Sequence, residues 1–219
     1  MSTRPIRISI NALGGQGGGV LADWLVDLAE TAGWLAQSTS VPGVAQRTGA
    51  TVYYLEMAPP DPAGREPVFA LMPAPGDVDV VVASELMEAG RAIARGLVTA
   101  DRTTLIASTH RIYAIAEKSA LGDGRQGGAA VLEAATVSAR KLVLADFQAL
   151  AEANGSVISA TLYGALAASA ALPFPREAFE AAIRRGGIGV ASSLRAFEAA
   201  YALGTGHAAP IAAGQPVPA

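Results

Sequence analysis

The sequence predicts an α/β fold: a three-layer α/β/α arrangement on a mostly parallel sheet, with a Rossmann-like start and a helical C-terminal part. Three observations carry that expectation. Apolar segments of strand length alternate with segments of helical period, the pattern that puts helices on both faces of a parallel sheet. One of them, Val78 to Ala83, is almost wholly β-branched, as a strand buried on both faces requires. The first strand also runs through a glycine cluster straight into a helix.

In chain order, Ile6, Ile8 and Ile10 alternate with polar residues, and their strand continues through Ala12 and Leu13 into Gly14-Gly15-Gln16-Gly17-Gly18-Gly19. Val20, Leu21, Trp24, Leu25 and Leu28 follow at helical spacing, and Gly33 is placed to stop that helix. Strands are expected at 34–40 and from Thr51 to Met57, with another from Val68 to Met72 after a proline-rich turn. Beyond the Val78–Ala83 strand, Glu85 to Arg95 reads as a helix ended by Gly96, and Thr104 to Ala107 as the next strand. Gly122 to Gly128 reads as a mobile loop. It precedes a helix near 129–138, a strand near 141–145 and helices near 147–153 and 157–170. Pro173 and Pro175 break the chain before two last helices, 176–185 and 190–202. One domain is expected over 6–203, and 204–219, rich in Gly, Ala and Pro without periodicity, reads as a flexible tail.

Composition narrows the function. The 219 residues are 51% apolar and 16% charged with a formal net charge of −3, so no surface-wide field draws in nucleic acid or anionic lipid. With no cysteine the chain holds neither a disulfide nor a thiolate-bound iron–sulfur cluster, and any redox centre belongs to another chain. Only His110 and His207 are available as imidazole ligands, too few for a histidine-rich metal site. No Gly-x-Ser-x-Gly elbow occurs. Glu85 and Glu88, three apart, fit a solvated helix face. The N-terminus lacks a signal-peptide core and no apolar run approaches the ~20 residues of a membrane span, so the cytoplasm is the expected compartment.

Two loops remain. A strand, glycine turn and helix N-terminus form an anion site, because backbone N–H groups converge there with the positive end of the helix dipole. Gly14, Gly15, Gln16 and Gly17 would be its residues. Ala12 replaces the first glycine of the dinucleotide fingerprint, and 34–42 contains no acid to meet a ribose. Val20 and Leu21 stand where a phosphate loop needs Lys and Ser or Thr. From these residues alone, anion binding and simple packing of helix on sheet both stand. In the second loop, Val41 to Ala50, Gln46 and Arg47 lie between two glycines; the arginine fork suits a carboxylate or phosphate.

Taken together, the loops resemble the γ-type domain of 2-oxoacid:ferredoxin oxidoreductases, most closely the small subunit of the indolepyruvate type. The resemblance rests on Gly14-Gly15-Gln16-Gly17 and Gln46-Arg47-Thr48-Gly49. Supporting segments in the same order are Ala83 to Arg91, Ser108-Thr109-His110-Arg111, Glu117-Lys118, Gly122-Asp123-Gly124 and Leu162 to Leu166. It covers roughly residues 6 to 200. Asn11-Ala12-Leu13 departs from a commoner glycine, and Val44-Ala45 from a frequent Met-Ser pair. The resemblance implies oxidative decarboxylation of an arylpyruvate with coenzyme A, giving an arylacetyl-CoA, carbon dioxide and reduced ferredoxin. It also implies that thiamine diphosphate, magnesium and the iron–sulfur clusters reside in a large partner subunit. This chain would then carry no catalytic residue but a binding set: Gly14, Gly15, Gln16, Gly17, Gln46, Arg47, His110 and Arg111. A stand-alone NAD(P)-dependent oxidoreductase and a non-catalytic CoA- or nucleotide-binding module are the competing expectations.

Overall fold

The computed structural model describes residues 4–42, 50–111 and 128–206. Gln46, Arg47, His207, the Glu117-Lys118 segment and the glycine-rich 122–127 stretch lie outside the described residues.

Alternating apolar residues form β1 (Ile6–Leu13), and α1 (Gly18–Thr31) follows after the glycine turn. Gly33 stops that helix at φ +77°, its N–H meeting the Glu30 carbonyl at 2.9 Å. The chain then makes a hairpin of β2 (Leu35–Pro42) and β3 (Ala50–Ala58). Next come β4 (Val80–Ala83), α2 (Leu86–Ala94), β5 (Thr104–Ser108), α3 (Gly128–Ser138) and β6 (Lys141–Ala145). The C-terminal part is helical as expected: α4 (Phe147–Ala153), α5 (Ile158–Ala168), α6 (Arg176–Gly186) and α7 (Val190–Gly204).

The six-stranded sheet has the order β2-β3-β1-β4-β5-β6. Only β3 runs against the rest: it is antiparallel to both β1 and β2, whereas β1, β4, β5 and β6 pair in parallel. The expected mostly parallel α/β sheet is therefore present. The even-numbered residues of β1 and β4 (Ile8, Ile10, Ala12, Val80, Val82) pack against α1 and α4 to α7. Opposite-face residues such as Val81, Ala83, Leu105 and Ala107 pack against α2 and α3. Within the first layer Trp24, Tyr163, Phe179 and Phe197 form a buried aromatic cluster.

Val68 to Met72 does not form the expected strand. Val68, Leu71 and Met72 are 95%, 69% and 61% exposed, so their apolar run has no sheet face to occupy. The segment instead lies across β2: the carbonyls of Ala70 and Leu71 accept from Gln37 (3.1 Å) and Thr39 (2.8 Å) side chains, and the Ala70 N–H donates to Glu56 (2.9 Å). Side-chain groups replace the backbone ladder a strand would have needed.

A candidate anion site at the switch point of the sheet

In an open α/β sheet, neighbouring parallel strands whose following helices cross to opposite faces leave a crevice at their carboxyl ends. Here the pair is β1 and β4, because α1 covers one face and α2 the other. The glycine loop joins β1 to α1 at that point of the sheet. Gly15 and Gly17 adopt φ +82° and +70°, conformations that side chains with a Cβ rarely take. Gly17 is the N-cap of α1; no side chain caps the helix and its first turn contains no acid. The N–H groups of that turn therefore keep their partial positive charge, with no counter-charge in the turn itself.

The glycines divide by role. A Cβ at Gly15 would meet open space, whereas one at Gly18 would lie 2.6 Å from the Ala12 Cβ and 2.7 Å from the Tyr53 ring. Packing of helix on sheet thus explains Gly18, and the left-handed turn explains Gly15. Below Gly17 lies Ser159, 1% exposed, whose Oγ has no hydrogen-bond partner among the described residues. Val20, in the first turn, is 44% exposed and Val157 is 51% exposed, giving the loop an apolar rim.

Gln16 ties the loop down. Its Oε1 accepts from the Leu13 N–H (3.2 Å) and from the Ser84 hydroxyl, and its Nε2 lies 3.1 Å from His110 Nε2. Gln16 follows β1, Ser84 follows β4 and His110 follows β5, so three strand ends meet in one network. His110 is anchored in turn: Nδ1 lies 2.8 Å from Ser108 Oγ, and its carbonyl accepts from the Leu86 N–H at 3.1 Å. Burial pushes its ring below the ordinary histidine value, against the opposing pull of Asp146 and Glu152.

The structure thus brings Gly14 to Gly17 and His110 to one edge, with Arg111 beside them in sequence. Gln46 and Arg47 lie outside the described residues, but Pro42 and Ala50, which bracket their loop, stand at the same carboxyl edge as Leu13. Sequence reasoning assigned no role to Ser84, Ser108 or Ser159. Their signal is only a small polar residue at a strand end or helix start. It also misread Glu85 and Glu88. They are 1% and 2% exposed, so they do not form a solvated face. Glu85 caps α2 by accepting from the Glu88 N–H (3.1 Å), and Glu88 pairs with Arg91 at 2.8 Å. Burial raises the Glu88 carboxyl, with Arg91 opposing.

Among the described residues no group of three or more His, Cys, Asp or Glu side chains is placed to hold a metal, and no helix is long and apolar enough to cross a membrane. The dinucleotide reading loses further ground, because β3 is inserted between β1 and β2. That sets the end of β2 two strand spacings, about 10 Å, from the glycine loop.

Residues 7–203 match the family model described as pyruvate ferredoxin/flavodoxin oxidoreductase. No curated protein matches. Solved structures share the fold, among them the following three. A subunit of pyruvate oxidoreductase from Thermotoga maritima is 20% identical, with a TM-score of 0.64 over 91% of this chain and 96% of that one. The γ subunit of a keto/oxoacid ferredoxin oxidoreductase from Geobacter sulfurreducens is 15% identical, TM-score 0.58, over 93% and 99% of the two chains. A 2-oxoglutarate:ferredoxin oxidoreductase from Magnetococcus marinus, with 2-oxoglutarate, coenzyme A and succinyl-CoA bound, is 14% identical, TM-score 0.59. It is covered over 93% of this chain and 32% of its own. The same unit therefore occurs both as a chain of its own and within a chain about three times as long. With a family match running from β1 into α7, over the glycine loop and the switch-point crevice alike, the chain belongs to the pyruvate ferredoxin/flavodoxin oxidoreductase family.

Proposed function

We propose that this chain is the small, cofactor-free subunit of a thiamine-diphosphate-dependent 2-oxoacid:ferredoxin oxidoreductase that decarboxylates an aryl 2-oxoacid such as indolepyruvate with coenzyme A. One observation carries the chain's own share of the work: the uncapped, acid-free N-terminus of α1 at the switch point of the sheet. It suits a phosphate or carboxylate, and the apolar rim of Val20 and Val157 suits a ligand that continues into a less polar arm. CoA has both parts. The coenzyme A named with the Magnetococcus marinus enzyme supports this choice.

The donor set here does not fit an iron–sulfur cluster, since there is no cysteine, and the described residues do not group into a magnesium site. Electron transfer and carbanion chemistry therefore fall to a large partner subunit carrying thiamine diphosphate and the clusters, with ferredoxin as acceptor. This chain binds the anionic end of CoA, shields the partner's site from water, and docks through the loop holding Gln46 and Arg47. The work is placed in the cytoplasm.

Val20→Glu tests the anion reading without straining the backbone. A carboxylate in the first turn of α1 complements the dipole, adding about 0.3–1 kcal/mol of stability. It should nonetheless weaken CoA binding at least tenfold in equilibrium dialysis. If the variant binds CoA like the parent, the N-terminus of α1 is a packing device only.

A further inference from the structure

The Gln16 amide is oriented by its neighbours, the Leu13 N–H, which Ser84 Oγ also accepts at 3.3 Å, and His110. The Leu13 N–H can only donate, so the group facing it at 3.2 Å must be the oxygen. The amide nitrogen then faces His110 Nε2 at 3.1 Å, and because an amide nitrogen cannot accept, the imidazole nitrogen must. The ring proton is therefore on Nδ1, donating to Ser108 Oγ at 2.8 Å. That oxygen also accepts from the Phe147 N–H at 3.0 Å, which fixes it from the far side.

We propose that His110 is a positioning residue: its neutral, Nδ1-protonated ring holds the Gln16 amide, and through it the glycine loop, in the shape that leaves the α1 N-terminus open to an anion. This rests on the anion-site reading above. Gln16 is the one side chain between two glycines in left-handed backbone, so its anchorage decides the shape of a loop with little conformational preference of its own. A protonated ring would turn Nε2–H against the Gln16 NH2, and rotating the amide to meet it would set NH2 against the Leu13 N–H, leaving that donor only its longer bond to Ser84 Oγ at 3.3 Å. Acid pH should therefore loosen the loop and weaken anion binding. A histidine touching the anion directly would do the opposite.

Among the described residues, the charged groups that act on the ring are Asp146, at the head of α4, and Glu152 within that helix, both of which favour protonation. Arg111 adjoins it in sequence, and Glu85 precedes Leu86, whose N–H reaches the His110 carbonyl. Gln16, Ser84 and Ser108 carry no charge.

With two histidines, the full-length chain suits side-chain 15N NMR, the His110 signals being assigned by their loss in His110→Gln. The parent should show the Nδ1–H tautomer and titrate below 6.5. Gln16→Glu sets a carboxylate against Nε2 and should raise that pKa by one unit or more. Gln16→Leu, which removes the donor, should mix the two tautomers. An Nε2–H tautomer in the parent, or a ring indifferent to both Gln16 variants, overturns the proposal. In equilibrium dialysis, CoA should bind at least threefold more weakly at pH 5.5 than at 7.5; tighter binding at 5.5 also overturns it. Absence of CoA binding at both pH values, with the NMR results as expected, defeats the CoA reading and leaves the positioning role standing.

Discussion

Glu56, on β3, is a carboxylate only 1% exposed that accepts from the Tyr54 hydroxyl (2.6 Å), Arg7 Nε (2.8 Å) and the Ala70 N–H (2.9 Å). Burial, then the bond to Glu56, pushes the Tyr54 phenol well above its ordinary range. Glu56→Gln weakens charge-assisted bonds inside a dry site and should cost about 2–3 kcal/mol in urea unfolding. Asp77, at 39% side-chain exposure, bridges Arg4, Arg7 and Arg102, and Asp77→Asn should cost well under ~1 kcal/mol because solvent screens it. Burial would raise the Asp77 carboxyl, but Arg4 and Arg7 pull it below 3.8. Its contribution is thus present above that pH and lost as pH falls through the lower folded value. For His110 the sign runs with burial of the neutral ring: stability is complete above 6.5 and declines below it. At this scale the sequence was partly legible. Gln16 could be picked out because it interrupts a run of glycines. Ser84 and His110 reach it from 68 and 94 residues away, a convergence created by crossover connections and invisible to spacing.

Elements were more legible than side chains, because a period of two or 3.6 is a property of neighbouring residues. Glu85 and Arg95, expected as the ends of a helix, are its N-cap and C-cap. The Val68–Met72 error shows the limit: β-propensity names a strand only where a sheet edge is free to take it. The glycine of the Leu162–Leu166 segment also acquires a physical reason. A Cβ at Gly164 would lie 2.3 Å from the Phe197 carbonyl oxygen, so α5 and α7 cross at backbone contact. Gly164→Ala must push two helices apart and should destabilise by about 2–3 kcal/mol. Gly90→Ala meets only Val131 side-chain atoms at 3.2 and 3.3 Å, and those can give. There the helix-propensity gain of about 0.5–1 kcal/mol offsets the crowding, and thermal melts should show little change.

For the whole molecule, the face of β2 and β3 away from α1 bears a cavity of about 400 Å³ lined by Val41, Val52, Tyr54, Met72, Pro73, Pro75, Arg95 and Leu97. With Leu71 and Met72 exposed beside it, the isolated chain is expected to self-associate, which light scattering would reveal as growth with concentration. Val41 and Val52 also flank the loop of Gln46 and Arg47 in sequence. Arg47→Ala should weaken assembly or turnover at least tenfold, about 1.4 kcal/mol, with only partial rescue by Arg47→Lys because an ammonium lacks the planar fork. The most direct test of the account is reconstitution with the thiamine-diphosphate and iron–sulfur subunit of the same source, measuring ferredoxin reduction by indolepyruvate. Turnover that depends on CoA and appears only when this chain is added is the predicted result. Equal CoA-dependent turnover by the large subunit alone, or oxidation of NAD(P)H by this chain alone, would contradict it.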